Sequence, residues 1–498
     1  MKSNVLIIIC FLSMGIFVNA QTPVSHPEVT WNLNENYSDE FNSGEINEDK
    51  WDIDVNDWGT WSWEPENAYI TDTVLTLRMQ QKTHWRGGQQ FWFTSGICQV
   101  RETFTYGYFE ARIKASEKGQ GTCPAFWHYS RGQPTPTEEG GVKYCEIDAV
   151  EIFQKPYDFQ RLEMNLHARI IENGVLTWKR PGLGDTELCH NTWLAPWDPR
   201  DNYHTYGVLN RLDSIFWFVD GIQRGAKKNV YWHLPMYLTV SMGLRTPYEA
   251  YIGGVRTALP YPDSIPEPGF PTEMYCDYVR MWNTPPQLYA DREKYYDAEF
   301  PVGSTLEFDC RYFAGNGESV VADGWNGMTC KLLEIQADGT IVNEIELVDE
   351  MVVGEESGIT TFEFLLNDLV VSSSLPEGNQ YVLKPAFRSS FDGGQDVYLE
   401  EEYYPIQLVE ANSVNSAEAV EKIKIFSTDG GVMIDLEGLN GDAVIKVFDL
   451  SGRQIIQDST SQQKIFLENS HFPTAGIYPV SVKIGNLHRV EKVVVVGN

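Results

Sequence analysis

"YCEIDAVEIF", Tyr144 to Phe153, sets three carboxylates into an otherwise apolar run. Ile147 separates Glu146 from Asp148, whereas both Ala149 and Val150 separate Asp148 from Glu151. Such a run reads as a β-strand rather than a solvated charge cluster, and charge at this density on a half-buried strand is unfavourable unless something uses it. Side chains of a regular strand alternate between faces, so Glu146 and Asp148 share one face and Glu151 falls on the other, among the core residues. One extra residue, a β-bulge near Ala149 and Val150, returns Glu151 to the face of Glu146. The competing reading is an edge strand with solvated acids; the clean alternation favours the bulge. With the bulge, the α-carbons of Glu146 and Glu151 lie roughly 13 Å apart, at about 3.3 Å per paired residue. Side chains leaning inward on a curved sheet can close that gap to the roughly 5–5.5 Å of a nucleophile and acid/base pair, whereas a wider gap admits water between them.

Around this strand the chain reads as β structure. "YGYFEARIKA" alternates Phe109, Ala111 and Ile113 with Glu110, Arg112 and Lys114, and "IFWFVDG" ends in Asp220-Gly221, a hairpin signal. Many short strands with Gly, Pro and Asn turns indicate a sandwich or jelly roll. No long amphipathic helix and no repeat array is visible. Fourteen of the 15 tryptophans precede Pro285, which marks residues 21–285 as a separate domain with an aromatic cleft. After the linker-like "NTPPQLYADREKYYDAEF", residues 286–410 form a second run of short strands, expected to be an immunoglobulin-like β-sandwich. A polar linker at 411–422 leads to a small β-domain at 423–498.

"MKSNVLIIICFLSMGIFVNA" (1–20) reads as a secretory signal peptide. No later segment is apolar enough to span a membrane. Seven cysteines remain after it: 98, 123, 145, 189, 276, 310 and 330. The odd count leaves at least one thiol unpaired, and the absence of any CxxC pair argues against zinc. Cys310 and Cys330, on candidate strands "LEFDCRYF" and "GMTCKLLEI", are the expected disulfide; two buried free thiols are the alternative. The net charge of −32 argues against nucleic acid as a partner. Residues 143–260 are nearly neutral against acidic flanks, a relatively cationic patch suited to an acidic ligand.

"EIDAVE" resembles the catalytic strand of glycoside hydrolase family 16. "PAFWHYS", "MNLHA", "TWKRP", "APWDPRDNYHTYG", "YWHLPM", "MGLRTP" and "DYVRMW", in that order across residues 30–285, resemble the kappa-carrageenases of that family. The tail resembles the C-terminal sorting domain of the Bacteroidetes type IX secretion system. The resemblance implies a jelly-roll β-sandwich catalytic domain with a concave cleft; with the strands read above, the whole chain is expected to be all-β, that domain being followed by the immunoglobulin-like β-sandwich and the small C-terminal β-domain. It implies endo-acting hydrolysis of internal β-1,4 bonds in a sulfated galactan with retention of configuration. It makes Glu146 the nucleophile, Glu151 the acid/base and Asp148 the assisting residue, able to share a proton with Glu146.

Sulfates need cationic donors, and Arg180 and Arg245 match family positions that contact them; the fork of a guanidinium suits anionic oxygens. The alternative for each is an arginine paired with a nearby acid. Trp127, Trp178, and Trp61 or Trp63 in "GTWSWEPEN" are candidate sugar platforms, with core packing as the alternative. His167 is placed to bond a sugar hydroxyl or the nucleophile region, or to sit in the core. No catalytic metal or cofactor is expected; a structural Ca²⁺ is implied, with Asp277 and backbone near "DEFNSG" as ligands. The loop "SRGQPTPTEEGGVK" is expected to shape one cleft wall. His128 and Thr246 depart from the family pattern at positions that bear on specificity. Furcellaranase, agarase and porphyranase activities, or a non-catalytic galactan-binding surface protein, are the competing functions. The expected setting is a monomer, secreted or held at the outer-membrane cell surface by the type IX machinery.

Overall fold

The strand around Glu146 runs Val142–Ile152 and lies inside a nine-stranded sheet. The structure, a computed structural model, describes residues 32–495 apart from short internal segments, the longest being 260–268 and 411–421. The proposed signal peptide and nearly all of the 411–422 linker lie outside the described residues. Across the sheet the order is Val175–Lys179, Leu166–Glu172, Val142–Ile152, Thr122–Tyr129, Tyr237–Leu244, Ile97–Val100 and Trp51–Asp52. Every pairing along this path is antiparallel.

A ten-stranded sheet packs against it, with Gly107–Lys114 and Thr272–Asn283 near its middle. Ile147, Ala149, Val150 and Ile152 of the first sheet meet Phe109, Ala111, Ile113, Val279 and Met281 of the second in one buried core. Each isoleucine, valine, phenylalanine or methionine among them contributes about 1.5–3 kcal/mol by leaving water. The hairpin expected at Asp220-Gly221 joins Ser214–Val219 to Ile222–Lys228, and both turn residues have positive φ, 50° and 71°. That is the geometry a two-residue turn requires between right-twisted strands.

Two further cores follow. Residues 288–408 enclose one between a three-stranded and a six-stranded sheet, and residues 423–495 enclose another between a three-stranded and a four-stranded sheet. The first two units touch: Tyr106, Leu212 and Phe313 share a small apolar cluster, and the Asn316 amide donates to the Tyr106 carbonyl at 2.9 Å. The only α-helices among the described residues are four residues long, Thr186–Cys189 and Arg292–Tyr295. No helix among them is long and apolar enough to cross a membrane.

The disulfide expectation is corrected. Cys310 and Cys330 are free and buried, as are the other five described cysteines. They sit on Thr305–Phe313 and Gly327–Ile335, strands of different sheets that share one core. As free thiols both act as small apolar side chains in that core.

Candidate active site

The register of the acidic strand contains the bulge. Glu146 pairs with Tyr129 and Asp148 with Trp127, then Val150 pairs with Phe126 and Glu151 with Ala125. Ala149 is the extra residue. Glu146, Asp148 and Glu151 consequently line one cleft of about 1080 Å³, while Ile147, Ala149, Val150 and Ile152 are fully buried beneath them.

A bulge removes backbone groups from the ladder, and buried ones need other partners. The Asp148 N–H donates to the Asn165 carbonyl at 3.0 Å. The Asp148 carbonyl accepts from Trp217 Nε1 at 2.8 Å, an indole reaching through the core from the opposite sheet. Trp232 Nε1 donates to the carbonyls of Glu146 at 2.9 Å and His167 at 3.0 Å, tying two neighbouring strands together. Both indoles are fully buried, so packing fixes the backbone from which the acids project.

The acids divide into two settings. At one end, the Tyr144 hydroxyl donates to Glu146 Oε2. His167 Nε2 lies 3.8 Å from Glu146 Oε1 and 3.3 Å from Asp148 Oδ2, the latter contact lacking hydrogen-bond alignment. Burial pushes the Asp148 carboxyl well above the usual carboxylate range, and the charges of Glu151 and Glu146 add to that. Burial opposes a charge on His167, but Glu146 and Asp148 outweigh it and raise the imidazole to about 9. This end therefore favours the protonated forms of both Asp148 and His167. At the other end, Arg245 Nη2 lies 2.6 Å from Glu151 Oε1, and Cys123 Sγ lies 3.7 Å from the same oxygen.

The cleft brings together His167, Trp127, Trp178, Arg180 and Arg245 with the acids. Trp178 is 38 % exposed, stands edge-on to Tyr144, and carries the guanidinium groups of Arg169 and Arg180 at 5.2 and 6.0 Å. Trp127 stacks on Tyr129 and donates to Ser241 Oγ. Trp61 and Trp63 correct the platform expectation. They touch the cleft wall but are 2 % and 1 % exposed and belong to the core, packed edge-to-face on each other, so neither has a free ring face for a sugar. His128 is likewise a core residue, packed against Phe104, Phe109 and Phe126, and burial lowers its pKa to about 3; it does not reach the cleft, whereas Thr246 does.

Sequence reasoning missed Trp58, Tyr129, Arg131, Tyr144 and Arg256, all of which line the cleft. Trp58, 43 % exposed, is the tryptophan of "NDWGTWSW" with a free face. The signal for Tyr144 was present: two residues before Glu146, it shares that face by simple alternation. Arg131 comes from the loop expected to form a wall, and its guanidinium lies over the Tyr237 ring at 4.3 Å. Asp277, the expected calcium ligand, accepts from Arg112 Nη1 through Oδ2 at 2.6 Å. Glu146, Asp148 and His167 are the one group among the described residues whose ligand atoms converge as a metal site would, within 4.8 Å, and they are the acids of the cleft.

A family profile described as beta-porphyranase A–D, GH16 domain, matches residues 31–284, just over half of the chain. The chain belongs to glycoside hydrolase family 16. It is a glycoside hydrolase, and the bulged strand and cleft fall inside the matched GH16 region. The kappa-carrageenase of Pseudoalteromonas carrageenovora is 40 % identical over 273 residues, covering 53 % of this chain and 67 % of that protein. Beta-porphyranase B of Zobellia galactanivorans is 28 % identical over 217 residues, covering 39 % of this chain and 68 % of that one. The crystal structure of the P. carrageenovora kappa-carrageenase with an oligotetrasaccharide of kappa-carrageenan superposes with a TM-score of 0.49 at 38 % identity, over 53 % of this chain and 98 % of that chain.

Proposed function

We propose that this GH16 enzyme is a secreted, endo-acting, retaining hydrolase of internal β-1,4 linkages in kappa-carrageenan, a sulfated galactan. The observation that carries the reading is the content of the cleft. Arg131, Arg180, Arg245 and Arg256 line the same cleft as Glu146, Asp148 and Glu151, with Asp57 and Glu249 also on its wall, in a protein whose net charge is −32. Long-range attraction cannot bring an acidic polymer to such a protein, so recognition rests on local cations. The 40 % identity to a kappa-carrageenase supports the same substrate.

In this reading Glu146 attacks the anomeric carbon while Glu151 gives its proton to the leaving oxygen. The C–O bond breaks with its electron pair on that oxygen, and a glycosyl ester forms on Glu146. Water then attacks the anomeric carbon, Glu151 takes the water's proton, and Glu146 leaves as carboxylate. Asp148, His167 and Tyr144 hold Glu146 in place and adjust its charge. Trp178 and Trp127 offer ring faces to the sugar, and Arg180 and Arg245 face its sulfates. The fold proposed for the matched region is a jelly roll, with an immunoglobulin-like sandwich behind it. The tail is proposed as a type IX sorting address, and the protein as a monomer released or retained at the cell surface. Nothing in this scheme is routed through a metal.

Incubating the protein with kappa-carrageenan, furcellaran, porphyran and agarose and measuring new reducing ends tests the substrate. Release from kappa-carrageenan alone is expected. The family profile favours porphyran as the second reading, and preferential cleavage there would replace the first.

A further inference from the structure

Asp148 has a carboxylate oxygen that no hydrogen-bond donor meets. Oδ2 is buried without an aligned partner, and only 1 % of the residue is exposed. A buried lone pair in that state is unfavourable unless something else meets it. Two further donor atoms lie beside it. His167 Nε2 is 3.3 Å from Asp148 Oδ2 and 3.8 Å from Glu146 Oε1. All three atoms lie within 4.8 Å of one another. The ladder fixes this grouping, since Glu146 and His167 stand opposite each other on paired strands and Asp148 follows on the same face. The Tyr144 hydroxyl holds the other Glu146 oxygen, Oε2, as a ligating carboxylate is commonly held by a hydrogen bond. Around a tetrahedral ion with bonds of about 2.0–2.1 Å, neighbouring ligand atoms stand roughly 3.3–3.4 Å apart. One edge already has that length, and rotation of the Glu146 side chain, 20 % exposed, closes the others.

We propose that Glu146, Asp148 and His167 form a site for a divalent transition-metal ion of the zinc class, and that an ion bound there inhibits the enzyme. One imidazole nitrogen with two carboxylate oxygens suits Zn²⁺ or Co²⁺. Ca²⁺ and Mg²⁺ need six or more oxygen ligands and are poorly served by three protein atoms, one of them nitrogen. The two carboxylates balance the charge of the ion, and the fourth position faces the cleft that all three residues line. The ion takes the place of protons on the ligands, so its uptake releases them. The inhibition, unlike the site, rests on the proposed reading of Glu146 as nucleophile. An oxygen lone pair bound to the ion cannot attack the anomeric carbon, and an ion at Oε1 bars the sugar from it. Inhibition is therefore competitive with substrate and reversible.

The experiment titrates Co²⁺ into the full chain and into Glu146→Gln and His167→Gln, with millimolar Ca²⁺ present to fill weaker oxygen-only sites. Binding is read from the visible absorption of the cobalt ion, and folding from thermal unfolding. One Co²⁺ per chain with the intense bands of four-coordinate cobalt is expected, displaced by Zn²⁺. Affinity is expected to fall by about a hundredfold or more in each variant, at least the loss seen when a supporting partner of a metal ligand is removed. Zn²⁺ is expected to suppress reducing-end release from kappa-carrageenan oligosaccharides, with the effect relieved by more oligosaccharide and abolished by EDTA. Unchanged cobalt affinity in the variants overturns the site, as does a near-ultraviolet thiolate band, which would put the ion on Cys123 of the same cleft. Should His167→Gln not fold, Glu146→Gln decides alone. Cobalt bound through these residues without loss of hydrolysis overturns the inhibition, and with it the reading of Glu146 as nucleophile, while the metal site stands.

Discussion

Asp148 keeps one carboxylate oxygen without an aligned donor while only 1 % of the residue is exposed. Burial, then the charges of Glu151 and Glu146, raise its folded-state pKa above the unfolded value. Stability linked to such a group is complete below the unfolded pKa and is lost as pH climbs through the folded one. Asp148→Asn, which cannot ionise, is therefore expected to match wild-type stability near pH 4 and to exceed it by about 1–3 kcal/mol near pH 7.5 in denaturant unfolding. Its activity is expected to fall by about one to two decades, in line with the assisting role proposed for Asp148. His167, raised to about 9 by Glu146 and Asp148 against burial, obeys the same sign. Its contribution is complete below about pH 6.5 and gone once pH passes through about 9, so His167→Gln is expected to destabilise the protein near pH 6 and not near pH 10. Glu146→Gln and Glu151→Gln are expected to abolish hydrolysis while leaving unfolding and oligosaccharide affinity intact. Proton NMR of early products is expected to show the β-anomer first; early α-anomer would mean inversion and remove Glu146 as nucleophile.

The bulged strand is the element on which the chemistry turns, and its hold comes from the sheet behind it. Trp217→Phe keeps most of the ring's volume and removes the N–H that satisfies the Asp148 carbonyl. A buried acceptor left without a donor costs about 1–3 kcal/mol. Because that carbonyl lies at the bulge, the loss is expected to lower kcat with little change in KM; steady-state kinetics alongside thermal unfolding separates the two effects. Deleting Ala149 removes the extra residue and leaves Glu146, Ile147, Asp148, Val150 and Glu151 in strict alternation, so the ladder becomes regular and the three acids still share the cleft face. Such a chain is expected to unfold cooperatively and to lose activity only in part, because it loses the bulge's kink and not the shared face; reducing-end release alongside thermal unfolding checks this.

Across the whole molecule, the buried residues fall into separate cores at 41–281, 288–408 and 423–495. A chain ending near Pro285 keeps the first of these and every cleft residue. It also bares Tyr106 and Leu212, which pack on Phe313 in the full chain. A fall in Tm of a few degrees, the scale of about 1 kcal/mol in a domain of this size, is expected, with kcat/KM on soluble oligosaccharide within about twofold of the full chain. Circular dichroism showing a fold without turnover would assign part of the site to the second unit.

Alternation and its single break were local facts, and local facts were enough to put three acids on one face, to place strands at Gly107–Lys114 and Ser214–Val219, and to read the Asp220-Gly221 turn. Backbone pleat and turn sterics depend on neighbours in the chain, so the sequence alone carried them. Alternation also carried Tyr144, where it went unused. What the tertiary structure decided were relations across sheets and loops. Trp61 and Trp63 differ from Trp58 only in what packs over them. That Cys310 and Cys330 lie as free thiols on different sheets of one core is a relation no spacing reveals. The pairing of Arg245 with Glu151, 94 positions apart in the chain, depends on how Tyr237–Leu244 and Val142–Ile152 are brought alongside Thr122–Tyr129. Contacts of this kind follow from the summed packing of many distant residues, and no single stretch of sequence encodes them.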